Sequence, residues 1–121
     1  MNGNSHRPER VASVIKRAVA VIIENELSDP RIHGVSVVDA VVTKDLKMAK
    51  IYVYIEHDDT DALKALQNSA GYVRRLLAEQ IKEMRVVPSL VFELDKSQSY
   101  YERIDTLIRG LSSEKHNDDN N

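Results

Sequence analysis

The sequence predicts an α+β two-layer sandwich: a three-stranded sheet covered on one face by helices, in the order α-β-β-α-kink-α-β, with a C-terminal helix appended. Three observations predict it. Near the start and again in the middle, apolar residues recur every three or four positions, the period of a helix. Three other stretches are rich in β-branched residues or alternate apolar with polar, as strands do. Ser69-Ala70-Gly71 interrupts the longer helical stretch without breaking its phase.

The first helix is expected over 8–26. Val11, Val14, Ile15, Ala18 and Ile22 form its apolar stripe. Pro8 suits the first helical position, where its missing N–H costs nothing. Ser28-Asp29-Pro30 ends the segment, because a residue before proline avoids the helical region. Two strands follow. Val35 to Thr43 is almost continuously apolar, as in a well-covered strand, and Asp39 within it indicates a bulge or an edge position. Ala49, Ile51, Val53 and Ile55 alternate with Lys50, Tyr52, Tyr54 and Glu56, the pattern of a half-exposed strand. The polar connector Lys44-Asp45-Leu46-Lys47 makes the pair a hairpin, although it lacks glycine.

Asp58-Asp59-Thr60-Asp61 then supplies caps and favourable charge at a helix start. Leu63, Leu66, Ala70, Val73, Leu77, Ile81 and Met84 lie at spacings of three and four. A glycine beside a serine is a kink site, so this stretch divides into helices over 59–69 and 72–85, packed in phase. Pro88 closes the second helix. Leu90, Phe92 and Leu94 mark the third strand. Tyr101, Ile104, Leu107, Ile108 and Leu111 indicate the C-terminal helix, capped by Ser97 or Ser99. Residues 1–111 are thus expected to form one domain, and the polar, acidic residues 112–121 a disordered tail.

At 121 residues the chain is one domain's worth, large enough for a core without staples. It has no cysteine, which excludes disulfides, thiol catalysis and thiolate metal sites. No apolar h-region marks a signal peptide, and no apolar run approaches the roughly 18 residues that span a bilayer. The net charge is −2, but it is unevenly distributed. Arg7, Arg10, Lys16 and Arg17 stand against Glu9 alone in the first seventeen residues. Arg74, Arg75, Lys82 and Arg85 cluster after the kink, while Glu56, Asp58, Asp59 and Asp61 form an acidic run. A near-neutral total can therefore conceal a basic face.

On a helix over 72–85, Arg74, Arg75, Lys82 and Arg85 fall in one sector, away from the apolar stripe. Such a ridge suits RNA phosphates, whose condensed counterions are released on contact. The kink starts a new helix, whose first N–H groups and dipole favour an anion, and Gly71 lacks the Cβ that would hinder approach. Ser69 and Gly71 therefore join the candidate set, as do Arg10 and Arg17 on one face of the first helix and Lys44 and Lys47 in the hairpin. The basic residues also fit a plain solvated face with Glu79 and Glu83 as partners, and the hairpin lysines fit a guard against edge pairing. Tyr52 and Tyr54 share a sheet face, where packing under a helix or across strands outweighs base stacking.

Catalysis has little support. The four histidines lack ligand spacing such as HExxH, and the Asp58–Asp61 run lacks the glycine and distal glutamate of a calcium loop. No glycine-rich phosphate loop and no nucleophile elbow is present. No catalytic residue, metal ligand or cofactor is assigned.

The element order matches the type II KH domain, whose members grip nucleic acid at a GXXG loop between two helices. Here that position reads Asn68-Ser69-Ala70-Gly71, with one glycine. Four segments sharpen the likeness: Arg7-Pro8-Glu9-Arg10-Val11; Asp29-Pro30-Arg31-Ile32, followed by Val41-Val42-Thr43-Lys44-Asp45-Leu46; Ser69-Ala70-Gly71-Tyr72-Val73-Arg74; and Met84-Arg85-Val86-Val87-Pro88-Ser89-Leu90-Val91-Phe92. In order and spacing they resemble the ribosome-binding factor A family, over residues 6 to 108. The family carries Ala-x-Gly at the kink, and this chain has Ser69 in place of the alanine. The resemblance implies a cytoplasmic assembly factor for the 30S ribosomal subunit, and because no long apolar stripe is left unspent the chain is expected to be a monomer. Such a factor binds free immature subunits near the 5′-terminal helix of 16S rRNA and supports rRNA processing. It implies no enzymatic activity, cofactor, metal, membrane or small-molecule substrate. The alternatives are a protein-interaction module of the same fold without RNA contact, and a DNA-binding domain. The long in-phase stripe disfavours the latter, since a helix-turn-helix crosses its helices at about 90–120°.

Overall fold

A computed structural model describes residues 7–56, 60–96 and 105–110. The elements run α1 (Arg7–Glu26), β1 (Val35–Val42), β2 (Met48–Ile55), α2 (Thr60–Asn68), α3 (Ala70–Gln80) and β3 (Ser89–Leu94). The sheet order is β1-β2-β3, with β1 antiparallel and β3 parallel to the central β2. A parallel neighbour requires a crossover, and α2 and α3 supply it. The helices cover one face: α1 lies over β1, and α2 and α3 lie against β3. Phe92, Ile15, Ile22, Ile51, Leu66 and Leu77 are fully buried at the centre. This is the expected sandwich with KH-like element order.

Alternation holds cleanly in β2, where Ala49, Ile51, Val53 and Ile55 point into the core. β1 is more exposed than expected. It is an edge strand, and its apolar run arises from a bulge rather than from cover on both faces. Pairing shifts between Val37 and Asp39. Before the shift Val35 and Val37 pack on the core; after it Ala40 and Val42 do. One extra residue flips the side-chain parity, so both halves of the strand must be apolar. The Asp39 carboxylate accepts the Ala40 N–H at 2.9 Å and fixes the bulge.

In α1 the buried positions are Ala12, Ile15, Val19, Ile22 and Ile23. Val14 is 38% exposed, so the stripe is rotated from the one expected. The hairpin turns without glycine because Leu46 adopts φ 62° itself. Thr43 and Asp45 hold the turn: the Thr43 hydroxyl donates to Asp45 Oδ1 at 2.7 Å, and the same oxygen accepts the Lys47 N–H at 3.1 Å. These bonds hold the Asp45 carboxyl below the usual carboxylate range, the hydroxyl contributing most. Leu46 also packs on the core, which offsets its strained backbone.

Helix α3 ends at Gln80, five residues short of the expectation. The Ile81 N–H closes the last turn on Leu77 O at 2.9 Å, and the chain then leaves the helix. Pro88 keeps Val87 out of the helical region, and Ile81 and Met84 still pack on the core from the 81–88 segment. Their helical spacing therefore reflects burial, not a helix. Tyr52 and Tyr54 lie on the sheet face opposite α1 and α3, half-buried among cross-strand neighbours rather than beneath either of those helices. Residues 105–110 are helical, with Leu107 and Ile108 exposed. The remainder of the expected C-terminal helix, its serine caps, Asp58, Asp59 and the 112–121 tail lie outside the described residues.

Candidate nucleic-acid interface

The kink is a single residue wide. Ser69, at φ −89° and ψ −1°, separates α2 from α3. Its N–H is held by the Ala65 and Leu66 carbonyls, both at 3.0 Å, and its carbonyl accepts Val73 N–H at 2.9 Å. The intervening N–H groups of Ala70, Gly71 and Tyr72 are the first-turn donors that a helix start leaves without intrahelical partners. The Ser69 hydroxyl makes no cap hydrogen bond. Alanine at that position would give the same bend, which explains how serine substitutes for it.

Gly71 is exposed, and a Cβ built on it would meet no heavy atom within 4 Å. No packing contact in the described fold requires glycine there. The residue sits on the rim of an open groove of about 660 Å³ whose lining includes Arg74, Arg75, Lys82, Arg85 and Val87. Four cations line this groove and no carboxylate does. Among the described residues none of the four forms an ion pair with Glu79 or Glu83. Lys82 and Arg85 reach the groove from the 81–88 segment rather than from the helix face on which they were expected. The helical sector was wrong for these two, yet the loop folds back along α3 and returns them to the same place.

Arg74 and Arg75 differ in role. Arg74 turns toward the loop: its Nε and Nη2 donate to Val87 O at 3.0 and 2.8 Å, and Nε also reaches Pro88 O at 3.2 Å. It clamps the 81–88 segment to α3 through neutral carbonyls and forms no ion pair among the described residues. Arg75 lies over the Tyr72 ring, 5.2 Å from its centroid, and lines the groove. The hairpin adjoins this clamp, because Ser89 N–H donates to Lys47 O at 2.9 Å directly after Pro88. Lys44 and Lys47 are exposed there. Arg10, with Arg7, lines a neighbouring depression that shares Met84 with the groove. Arg17 lies further along α1, bonds Ser13 Oγ at 3.4 Å, and lines neither cavity. Ser69 faces another pocket, beside Glu26 and Asp29. Sequence reasoning missed Tyr72 and Val87 as parts of this region; a lone tyrosine and a lone valine carry no spacing signal.

The described residues contain no group of three or more His, Cys, Asp or Glu side chains placed to hold a metal ion, and no helix long and apolar enough to cross a membrane.

Comparison with known proteins fixes the family. The sequence model of ribosome-binding factor A matches residues 7–108. The chain belongs to the ribosome-binding factor A family. Ribosome-binding factor A of Desulforamulus reducens is 41% identical over 114 residues, which span 92% of this chain and 94% of that protein. The crystal structure of ribosome-binding factor A from Thermus thermophilus superposes with a TM-score of 0.66 at 29% identity, covering 72% of this chain and 94% of that one. A Thermus thermophilus ribosome-binding factor A homology model, fitted into the cryo-EM map of a 30S complex, gives a TM-score of 0.61 at 30% identity over 68% of this chain and 88% of that one.

Proposed function

We propose that this chain is an RNA-binding assembly factor that docks on the 30S ribosomal subunit through the groove between α3 and the 81–88 segment. The observation that carries this reading is a groove lined by four cations and no carboxylate, with Gly71 open at its edge. Phosphates of 16S rRNA match its charge, and the first-turn N–H groups of α3 add donors beside it. A relative that shares this fold has been fitted into a 30S complex, which names the subunit as the partner. Arg75, Lys82 and Arg85 make the phosphate contacts, Arg74 shapes the groove, and Arg10, Lys44 and Lys47 extend the cationic rim. Following the family resemblance, the target is the free immature subunit near the 5′-terminal helix of 16S rRNA, late in maturation and in support of rRNA processing. The chain binds and remodels without breaking bonds. It works in the cytoplasm as a monomer and needs no cofactor, metal or small-molecule substrate.

The test is cosedimentation of the Arg75→Glu, Arg85→Glu double variant with free small subunits at several salt concentrations. Binding is expected to fall, and the slope of log affinity against log salt to flatten by about 0.7–0.9 per lost contact. A folded variant that binds as before refutes the groove. Salt-independent binding would instead favour a protein-interaction module.

A further inference from the structure

Beside the groove, on the other side of Tyr72, lies a second cavity of opposite character. It holds about 300 Å³ and its lining includes Glu26, Ser28, Asp29, Asn68, Ser69 and Tyr72. The groove contributes cations and no carboxylate; this pocket contributes two carboxylates, an amide and three hydroxyls, one of them on an aromatic ring. Tyr72 is 40% exposed, and Arg75, which lines the groove, lies 5.2 Å from its ring centroid. The contact between these two side chains thus links the linings of the two cavities.

We infer that the pocket receives an unpaired nucleobase bearing an exocyclic amino group, while the phosphate of the same nucleotide sits in the cationic groove. The inference rests on the groove reading above and adds a base-reading element to it. Gly71 borders the groove and Tyr72 the pocket, and the Arg75–Tyr72 contact joins the two linings, so the phosphate and the base of one nucleotide are assigned to adjoining cavities. The chemistry divides accordingly. Phosphate is repelled by Glu26 and Asp29. A base is not charged, and its amino group is a donor that carboxylates accept. Glu26 has no hydrogen bond or ion pair among the described residues and is the free acceptor. Asp29 is mostly engaged: Oδ1 accepts the Arg31 N–H at 2.9 Å and Nε at 3.1 Å, and Oδ2 accepts Nη2 at 2.7 Å. Asn68, Ser28 and Ser69 supply the donors and acceptors needed for the remaining positions of a base edge. The ring of Tyr72 gives the stacking surface on which proteins hold bases splayed from single strands. Uracil offers one ring N–H between two carbonyls where cytosine offers an amino group with two hydrogens, so it fits this carboxylate-rich lining worse than cytosine does.

Fluorescence anisotropy with labelled oligocytidine and oligouridine of equal length tests the assignment, since the two probes carry the same charge. Oligocytidine is expected to bind at least about five-fold tighter, the low end of what one well-formed pair of base hydrogen bonds gives. Tyr72→Ala should weaken both probes about ten-fold, Tyr72→Phe should restore them, and Glu26→Gln should remove the preference for cytidine. Equal binding of the two probes by the unmodified chain overturns the inference, as does unchanged binding by a folded Tyr72→Ala variant. If Arg75 and Arg85 still govern docking on the subunit while these probes show no discrimination, the pocket fails and the groove stands. If the probes discriminate but the Arg75, Arg85 variant docks normally, the groove fails instead.

Discussion

Arg74 on α3 donates two hydrogen bonds to the carbonyl of Val87, thirteen residues later, at 3.0 and 2.8 Å. This clamp turns the 81–88 segment back along the helix and brings Lys82 and Arg85 beside Arg75. It separates the roles of two adjacent arginines. Arg74→Ala should lower stability by about 1–2 kcal/mol, the range for bonds from a charged donor reduced for partial exposure. Arg74→Lys should recover little, since an ammonium cannot reproduce the planar fork. Arg75→Ala should leave the melting temperature near that of the unmodified chain and weaken subunit binding. Thermal melts paired with cosedimentation check both. The division fails if the two variants behave alike.

Gly71→Ala should move stability and binding in opposite directions. Within a helix alanine is favoured over glycine by up to about 1 kcal/mol, and the added Cβ meets nothing in the described fold. Urea denaturation should therefore show a higher midpoint with the same slope. A methyl group at the groove edge should hinder the approach of a phosphate, so subunit affinity should drop. Stabilisation together with unchanged affinity would mean that no ligand comes close to this residue.

Much of this arrangement is legible in the sequence, and the exceptions share a cause. β2 and the kink could be read because Ile51, Val53 and Ile55 alternate strictly and Ser69-Ala70-Gly71 interrupts a long stripe. The end of α3 could not. Ile81 and Met84 keep helical spacing only because a turn and a helix can bury the same two side chains, and periodicity reports burial rather than backbone hydrogen bonds. β1 misleads in the same way: the bulge at Asp39 makes both parities apolar and imitates a strand covered twice. The groove's membership was largely readable from charge alone. The inward turn of Arg74 was not, because its acceptors are backbone carbonyls that leave no mark in sequence.

The turn after α1 should respond to acid. The side-chain hydrogen bond from Arg31, followed by the Arg31 backbone N–H, lowers the Asp29 carboxyl from 3.8 to about 2. A carboxyl depressed in the folded state stabilises above its ordinary value, and that contribution is lost as pH falls through the folded one. The contribution should be complete above about pH 4 and fade toward pH 2. An NMR titration of the Asp29 carboxyl checks the midpoint, and Asp29→Asn should abolish the acid-linked change in this turn. A midpoint near 3.8 would mean that the Arg31 pairing is not maintained in solution.

Val14 and Ile15 are neighbours with opposite fates, and they discriminate between the expected stripe of α1 and the observed one. Ile15 is fully buried among the core residues, whereas Val14 is 38% exposed. Truncating Ile15 to alanine removes buried methyl groups and leaves a cavity, at a cost of about 2–5 kcal/mol. Truncating Val14 removes atoms already partly in water and replaces a β-branched residue with the best helix former, so the net change should stay within about 0.5 kcal/mol. Chemical denaturation of the two variants measures the difference. Comparable losses would place Val14 in the core and rotate α1 back to the stripe that spacing alone suggests, moving Arg10 and Arg17 away from the outward face they now occupy.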